Sequence, residues 1–159
     1  MPEKFPSPAG WTPPGAQFRS SGTVSRTLIG VAAGLILTPI GTAFAARGAA
    51  DTKRWVILGD LADRLGSTLQ ILLGALLLLV VAALAAYSPL GTVVAGAVWG
   101  VLPGIIHLIF PDDTFRIIGD LPFSDEMHIA LYEWLQTGFP LIVGFLLIGA
   151  GVAATLGRR

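Results

Sequence analysis

Cysteine is absent from the 159-residue sequence, and charged residues make up only 13% of it. The absence of cysteine excludes disulfide bonds, thiolate metal sites and thiol redox chemistry. Ten basic and ten acidic residues cancel, so no net charge would attract nucleic acid or an anionic membrane surface. Hydrophobic residues make up 53% of the chain, a composition that is typical of membrane proteins and effectively excludes a soluble enzyme.

Long uncharged segments predict four membrane-spanning helices. The first segment is twenty residues long, about 30 Å of helix at ~1.5 Å per residue, which matches the hydrocarbon core of a bilayer. The segment between Arg64 and Asp112 is roughly twice as long as one crossing requires, so it must fold back. Proline and glycine in the Tyr-Ser-Pro-Leu-Gly segment 87–91 place the reversal there. The predicted spans are residues 27–46, 65–87, 90–110 and 134–157.

The predicted fold is therefore an all-α integral membrane protein, a four-helix transmembrane bundle over residues 27–159. The proline- and glycine-rich residues 1–26 form a tail with too little apolar surface for a core, predicted to be disordered or extended. Alternatively, Phe5, Trp11 and Phe18 anchor the tail on a partner. A cleavable signal peptide competes for the first span, because small residues at 43 and 45 suit a signal peptidase. We retain the membrane helix.

The orientation follows only weakly from charge. Five basic residues fall on each side of the predicted bundle, but nine of the ten acidic residues lie on the side opposite the termini. Carboxylates contribute little to orientation, yet they favour cytoplasmic N and C termini. Frequent arginine, alanine and glycine suggest a GC-rich bacterial genome, and hence the bacterial cytoplasmic membrane.

Two connections on the outer side are predicted to be helical. Residues 55–65 have the apolar spacing of an amphipathic extension of the second helix, with Trp55 at the membrane interface. Residues 111–133 are acidic yet repeatedly apolar, which indicates a structured segment. Within it Ser124 is a predicted N-cap, and a helix enters the last span with one apolar face, formed by Met127, Leu131, Trp134 and Leu135.

Glycines spaced one helical turn apart occur in two spans. Such spacing lets helix backbones approach closely, which is how helices associate within lipid. Whether these glycines pack within the chain or against another protein stays open at this point. The predicted helix-packing residues are Gly30, Gly34, Gly96, Gly100 and Gly104.

Prolines fall inside three of the four spans, at Pro39, Pro103 and Pro140, all in the outer half of the predicted bundle. Each would remove a backbone hydrogen bond and kink its helix, so the helices could splay and leave a cleft at the outer side. The alternative is that membrane helices simply tolerate proline.

Reactive groups are scarce. No Asp, Glu, Lys or Arg lies within a predicted span, which weighs against ion-coupled transport. His107 and His128, with Asp112 and Asp113, are weak candidate ligands for Zn²⁺ or Mn²⁺, because no recognised metal-binding spacing is present. No nucleophile motif, phosphate-binding loop or haem-ligand pair occurs either, so neither a catalytic residue nor a cofactor is predicted.

These features favour a non-catalytic accessory or scaffold subunit of a larger bacterial membrane complex, respiratory or in the cell envelope. The expected partners are membrane lipids and other integral subunits, not nucleic acid. One alternative is a homo-oligomeric pore or small-molecule conduit lined by the third helix. A third hypothesis is a metal-dependent enzyme at the outer membrane interface.

Overall fold

The computed structural model describes residues 19–58 and 64–157, and this part of the chain is helical, without a strand. Four helical segments are long and apolar enough to cross a membrane, as the sequence predicts: Val24–Ile57, Arg64–Ala86, Pro89–Ile109 and Phe139–Leu156. In chain order the helices are α1 (Arg19–Leu58), α2 (Arg64–Ala83), α3 (Pro89–Gly96), α4 (Leu102–Ile109), α5 (Pro111–Gly119), α6 (Asp125–Gln136) and α7 (Phe139–Leu156). The predicted tail anchors Phe5, Trp11 and Phe18 lie outside the described residues.

Helix α1 extends beyond the predicted span at both ends. Its 40 residues correspond to about 60 Å, twice the thickness of a hydrocarbon core. Charged residues end a membrane span but not a helix, and Asp51 lies 4.0 Å from both Arg47 and Arg54 on the same helix. At the other end, α1 begins at Arg19, so the last residues of the predicted tail, 19–26, are helical rather than disordered or extended.

Trp55 belongs to α1, so the prediction that residues 55–65 extend the second helix was wrong for residues 55–58, and residues 59–63 lie outside the described residues. The Trp55 indole Nε1 donates to Ser67 Oγ of α2 at 3.2 Å, and the Arg64 guanidinium lies 4.6 Å from the indole centroid. These contacts fasten the extended end of α1 to the beginning of α2.

The reversal between the second and third spans lies where the sequence predicts it. A short 3₁₀ turn, Leu84–Ala86, follows α2, and Ser88 precedes α3 and accepts a hydrogen bond from Gly91 N at 3.3 Å. Pro89 occupies the first turn of α3, where its missing N–H costs nothing. Gly91 is not a turn residue but lies inside α3.

Helices α3 and α4 form one continuous rod, Pro89–Ile109, through a π-helical turn at Ala97–Val101. At the end of this turn the Leu102 N–H donates to Ala97 O, five residues back. Pro103 follows directly, and its ring would collide with the carbonyl of Trp99 in a regular α-helix. The wider turn gives the proline room.

The fourth span begins at Phe139 rather than at residue 134, because residues 134–136 belong to the preceding helix. Helix α6 ends at Gln136, and α7 begins at Phe139. Between them Gly138 has a φ of 71°, a left-handed conformation that favours glycine. Trp134 therefore lies on α6 and stacks on Phe139 of α7, with ring centroids 4.8 Å apart.

The predicted helix-packing glycines lie at contacts between helices of this chain. Gly30 lies against Ser88 and Gly91, and a side chain at Gly34 would contact Ala95 and the Gly91 carbonyl at 3.0 Å. The first glycine pair therefore joins α1 to α3.

The glycines of the rod face α7. A Cβ on Gly96 would lie 2.7 Å from Gly144 O, one on Gly100 2.6 Å from Gly144 N, and one on Gly104 2.6 Å from Leu141 Cγ. Backbone thus packs on backbone at Gly96 and Gly100, as glycine spacing allows, whereas Gly104 lies against the Leu141 side chain.

Candidate ligand-binding cavity

A cavity of about 640 Å³ lies at one end of the bundle, and we call α5, α6 and the residues between them, 111–136, the cap. Helix α1 and the rod form its walls, and the cap partly covers it with side chains such as Ile118, Leu121 and Leu131. Among the described residues, no Asp, Glu, Lys, Arg or His side chain contributes to its lining. Helix α1 begins and α7 ends at the opposite end of the bundle.

The cavity forms at the three prolines that the sequence singles out. Pro39, Pro103 and Pro140 all contribute to its lining. The predicted interruption by Pro140 was wrong, however, because this residue lies in the first turn of α7 and breaks no hydrogen bond. Only Pro39 and Pro103 alter the hydrogen bonding of their helices.

One side chain compensates for Pro39. Because Pro39 has no N–H, the carbonyl of Leu35 loses its helical partner. The Trp99 indole Nε1, from the π-helical turn of the rod, donates to Leu35 O at 3.0 Å. This bond joins α1 to the rod beside the cavity and satisfies a carbonyl that would be costly to leave unpaired in an apolar environment.

The cap presents its apolar face to the cavity. Met127, Leu131, Trp134 and Leu135, the residues of the predicted apolar face, all line it. Helix α6 begins at Asp125, as the sequence predicts, but the Ser124 side chain makes no capping hydrogen bond. The acidic first turn is nevertheless well placed at the positive end of the helix dipole.

Ion pairs hold α6 against α1. Glu126 pairs with Arg47 and lies 3.9 Å from Arg54, and the Lys53 ammonium lies 2.6 Å from Glu133. The acidic residues that the sequence marks as an outer-side feature thus partly neutralise the basic extension of α1.

Small apolar residues bring the same two helices into close contact. Ala46 and Ala50 of α1 and Ala130 of α6 form one buried cluster, and Trp134 packs against it. The cap therefore has an apolar contact with α1 flanked by charged pairs.

His107 takes part in an aromatic contact. Its ring meets Phe115 edge to face at 5.7 Å, and Phe115 contacts Tyr132 with ring centroids 4.8 Å apart. The Tyr132 hydroxyl donates to Phe115 O at 2.8 Å. These residues connect α4, α5 and α6 and hold the two cap helices together.

The weak metal candidates do not form a site. His128 Nε2 lies 3.1 Å from Leu121 O, and Asp113 pairs with Arg116. Within the described residues, no group of three or more His, Asp and Glu side chains is placed to hold a metal ion. His107, His128, Asp112 and Asp113 therefore have no shared geometry for metal binding.

Sequence reasoning missed several cavity residues, among them Thr42 and Trp99. Thr42 lies three residues after Pro39, hence on the same face of α1, and Trp99 lies four residues before Pro103. These spacings relative to the prolines were the available signal.

Comparison of the chain with protein-family models, curated proteins and solved structures gives no match.

Proposed function

We propose that the chain is a non-catalytic, multi-pass protein of the bacterial cytoplasmic membrane that binds an apolar molecule from the bilayer in the cap cavity. The cavity itself carries the proposal. Its volume of about 640 Å³ falls within the roughly 300–1,000 Å³ of small-molecule sites, and no ionisable side chain of residues 19–58 or 64–157 lines it. An apolar site of this size is poorly hydrated, so a lipid chain fills it more favourably than water does.

The placement of the cavity supports a ligand that comes from the membrane. Pro39 and Thr42 lie on α1 between Gly34 and Gly48, the part of α1 that packs against α3 and α2. The ion pairs of the cap begin only at Arg47. The floor of the cavity is thus at hydrocarbon depth, and the cap lies over it as an amphipathic element at the interface.

The tail is a poorer occupant than a lipid. The part of the tail that precedes α1, residues 1–18, ends next to Arg19, and Arg19 is about 30 Å of helix away from Pro39 at ~1.5 Å per residue. To reach the cavity, the tail would cross the hydrocarbon as an extended chain with unpaired backbone groups, which a bilayer strongly disfavours.

A binding role agrees with the notion of an accessory subunit. The cavity lining offers no acid, base or strong nucleophile, so a bound molecule would be presented or held rather than transformed. Helix α2 exposes large apolar side chains such as Leu69, Leu76 and Leu79, to lipid or to another integral subunit. A pore lined by the glycines of the rod is less favoured, because α7 covers them.

Binding is testable by fluorescence quenching in mild detergent. With Trp11 and Trp55 replaced by Phe, the remaining tryptophans, Trp99 and Trp134, both line the cavity. A lipid with brominated chains should quench them in a saturable manner at about one lipid per protein. Ala43→Phe, which fills the cavity, should remove the saturable component, whereas Ala75→Phe on the exposed side of α2 should retain it. Equal quenching of both variants would contradict the proposal.

The orientation is testable by labelling, because the natural chain contains no cysteine. Single cysteines at Gly10, Thr52, Ser124 and Arg159 should react with an impermeant thiol reagent in intact cells only at positions 52 and 124. Labelling of positions 10 and 159 instead would reverse the proposed orientation.

Membership in a larger assembly is testable by purification from the native membrane. A stoichiometric set of unrelated chains would support the subunit role. A homogeneous homo-oligomer alone would favour the pore alternative, and conductance measurements would then follow.

A further inference from the structure

Four polar side chains line the cavity, and two of them, Trp99 and Thr114, are already hydrogen-bonded. Trp99 Nε1 donates to Leu35 O at 3.0 Å, and the Thr114 hydroxyl donates to Phe110 O at 2.9 Å. Within the described part of the chain, the Trp134 indole Nε1 is buried without a partner, and the Thr42 hydroxyl makes no hydrogen bond either.

Thr42 shares this property with the buried Thr38 of α1, which does not line the cavity, but it differs from three other helical threonines. Thr52, Thr68 and Thr155 each donate their hydroxyl to the carbonyl four residues back, at 2.8–2.9 Å, as threonine commonly does in a helix. The equivalent acceptor for Thr42 is the carbonyl of Thr38, and that bond is not made.

An unused hydroxyl in an apolar cavity is a site for a polar atom of a ligand. A hydrogen bond left unmade in such surroundings costs free energy, and a ligand oxygen would recover it. A charged head group would be disfavoured, because the lining offers no counter-charge and desolvating an ion is expensive.

We propose that the cavity binds an uncharged single-chain amphiphile, whose hydroxyl or carbonyl oxygen pairs with the Thr42 hydroxyl while its chain occupies the apolar lining. This inference rests on the proposed function and adds the class of the ligand. The oxygen can belong to a long-chain alcohol or to an ester, because Thr42 can donate to either and accept from the alcohol.

The test uses the same quenching measurement with chain-matched competitors. Hexadecanol, methyl palmitate, palmitate and hexadecane are titrated to displace the brominated lipid at a pH at which palmitate is ionised. The alcohol and the ester should displace it more strongly than palmitate or hexadecane. If the ester displaces the brominated lipid more strongly than the alcohol does, the ligand oxygen is a carbonyl. The reverse order identifies it as a hydroxyl.

The Thr42→Val variant keeps the shape of the side chain and removes the hydroxyl. It should weaken displacement by hexadecanol and methyl palmitate about five- to tenfold, the value of one hydrogen bond, and leave hexadecane unchanged. Thr42→Ser should restore the wild-type order. Thr155→Val, at the other end of the bundle, should change none of the four competitors.

Two failures are distinguishable. If the brominated lipid shows no saturable quenching in the unmodified cavity, the proposed function itself is wrong. If it binds, but Thr42→Val weakens hexadecane as much as hexadecanol, or ionised palmitate competes best, only the ligand class is wrong.

Discussion

Gly100→Leu is expected to abolish the native bundle. A Cβ at this position would lie 2.6 Å from Gly144 N and 2.7 Å from Pro140 O, and it would also collide with Gly144 Cα. All three atoms belong to the backbone of α7, which cannot move aside as a flexible side chain can. The cost should exceed the ~1–3 kcal/mol of ordinary overpacking and separate the rod from α7.

The measurement is thermal stability and monodispersity in mild detergent. Gly149→Leu is the matched control, since it makes the same change on α7 at a position where a Cβ would meet no atom within 4 Å. The control should melt as the wild type does, whereas Gly100→Leu should aggregate or lose its cooperative transition. Equal melting of the two variants would refute the backbone contact between the rod and α7.

Charge reversal at Glu126 and Glu133 is expected to release the cap from α1. The double variant Glu126→Arg and Glu133→Lys replaces attraction to Arg47 and Lys53 by repulsion. Exposed ion pairs contribute only ~0–1 kcal/mol each, so the two reversals should shift the docking equilibrium about tenfold. The apolar cluster around Ala130 would then open more often.

A cysteine at Ala130 reports this opening, because the residue is 1% exposed and the natural chain offers no competing thiol. Its maleimide reaction should be about tenfold faster in the double variant than in the wild-type background, because a tenfold shift in the docking equilibrium corresponds to ~1.4 kcal/mol. Arg47→Glu together with Lys53→Glu should restore slow labelling in the reversed protein. Failure of this charge swap to rescue would show that the ion pairs do not hold the cap.

The helices are predictable from the sequence because their signals are local. The spacing of charged residues locates the four spans, and the turn-spaced glycines identify the packed faces of α1 and the rod. The apolar face of α6 follows from the spacing of Met127, Leu131 and Trp134, although the sequence does not show that this face covers a cavity.

Helix ends are less predictable, and α1 shows why. The charged residues from Arg47 to Arg54 are incompatible with hydrocarbon but stabilise a helix in water through pairs such as Arg47–Asp51. Hydropathy therefore locates the end of the span and not the end of the helix. Gly138, similarly, breaks the last predicted span through its backbone conformation, which the hydrophobic pattern does not encode.

The cavity depends on contacts between residues far apart in the chain. The Trp99–Leu35 bond spans 64 residues, and the Arg47–Glu126 pair spans 79. Both require the rod, the cap and α1 to meet in one register, and no local pattern specifies that register. The three prolines suggested a cleft. That the cap partly covers it, and that the Thr42 hydroxyl makes no hydrogen bond, follow only from the three-dimensional structure.

The central claim is that the cap cavity holds a molecule from the bilayer, and extraction of purified protein tests it most directly. Wild-type protein, Ala43→Phe, Ile106→Trp and the control Ala75→Phe are purified from native membranes in mild detergent, and their organic extracts are quantified by mass spectrometry. Wild type and Ala75→Phe should each carry about one equivalent of the same uncharged lipid-like species, and both cavity-filling variants, if they melt normally, should lack it. The same bound species in all four proteins, or none in wild type, would contradict the account.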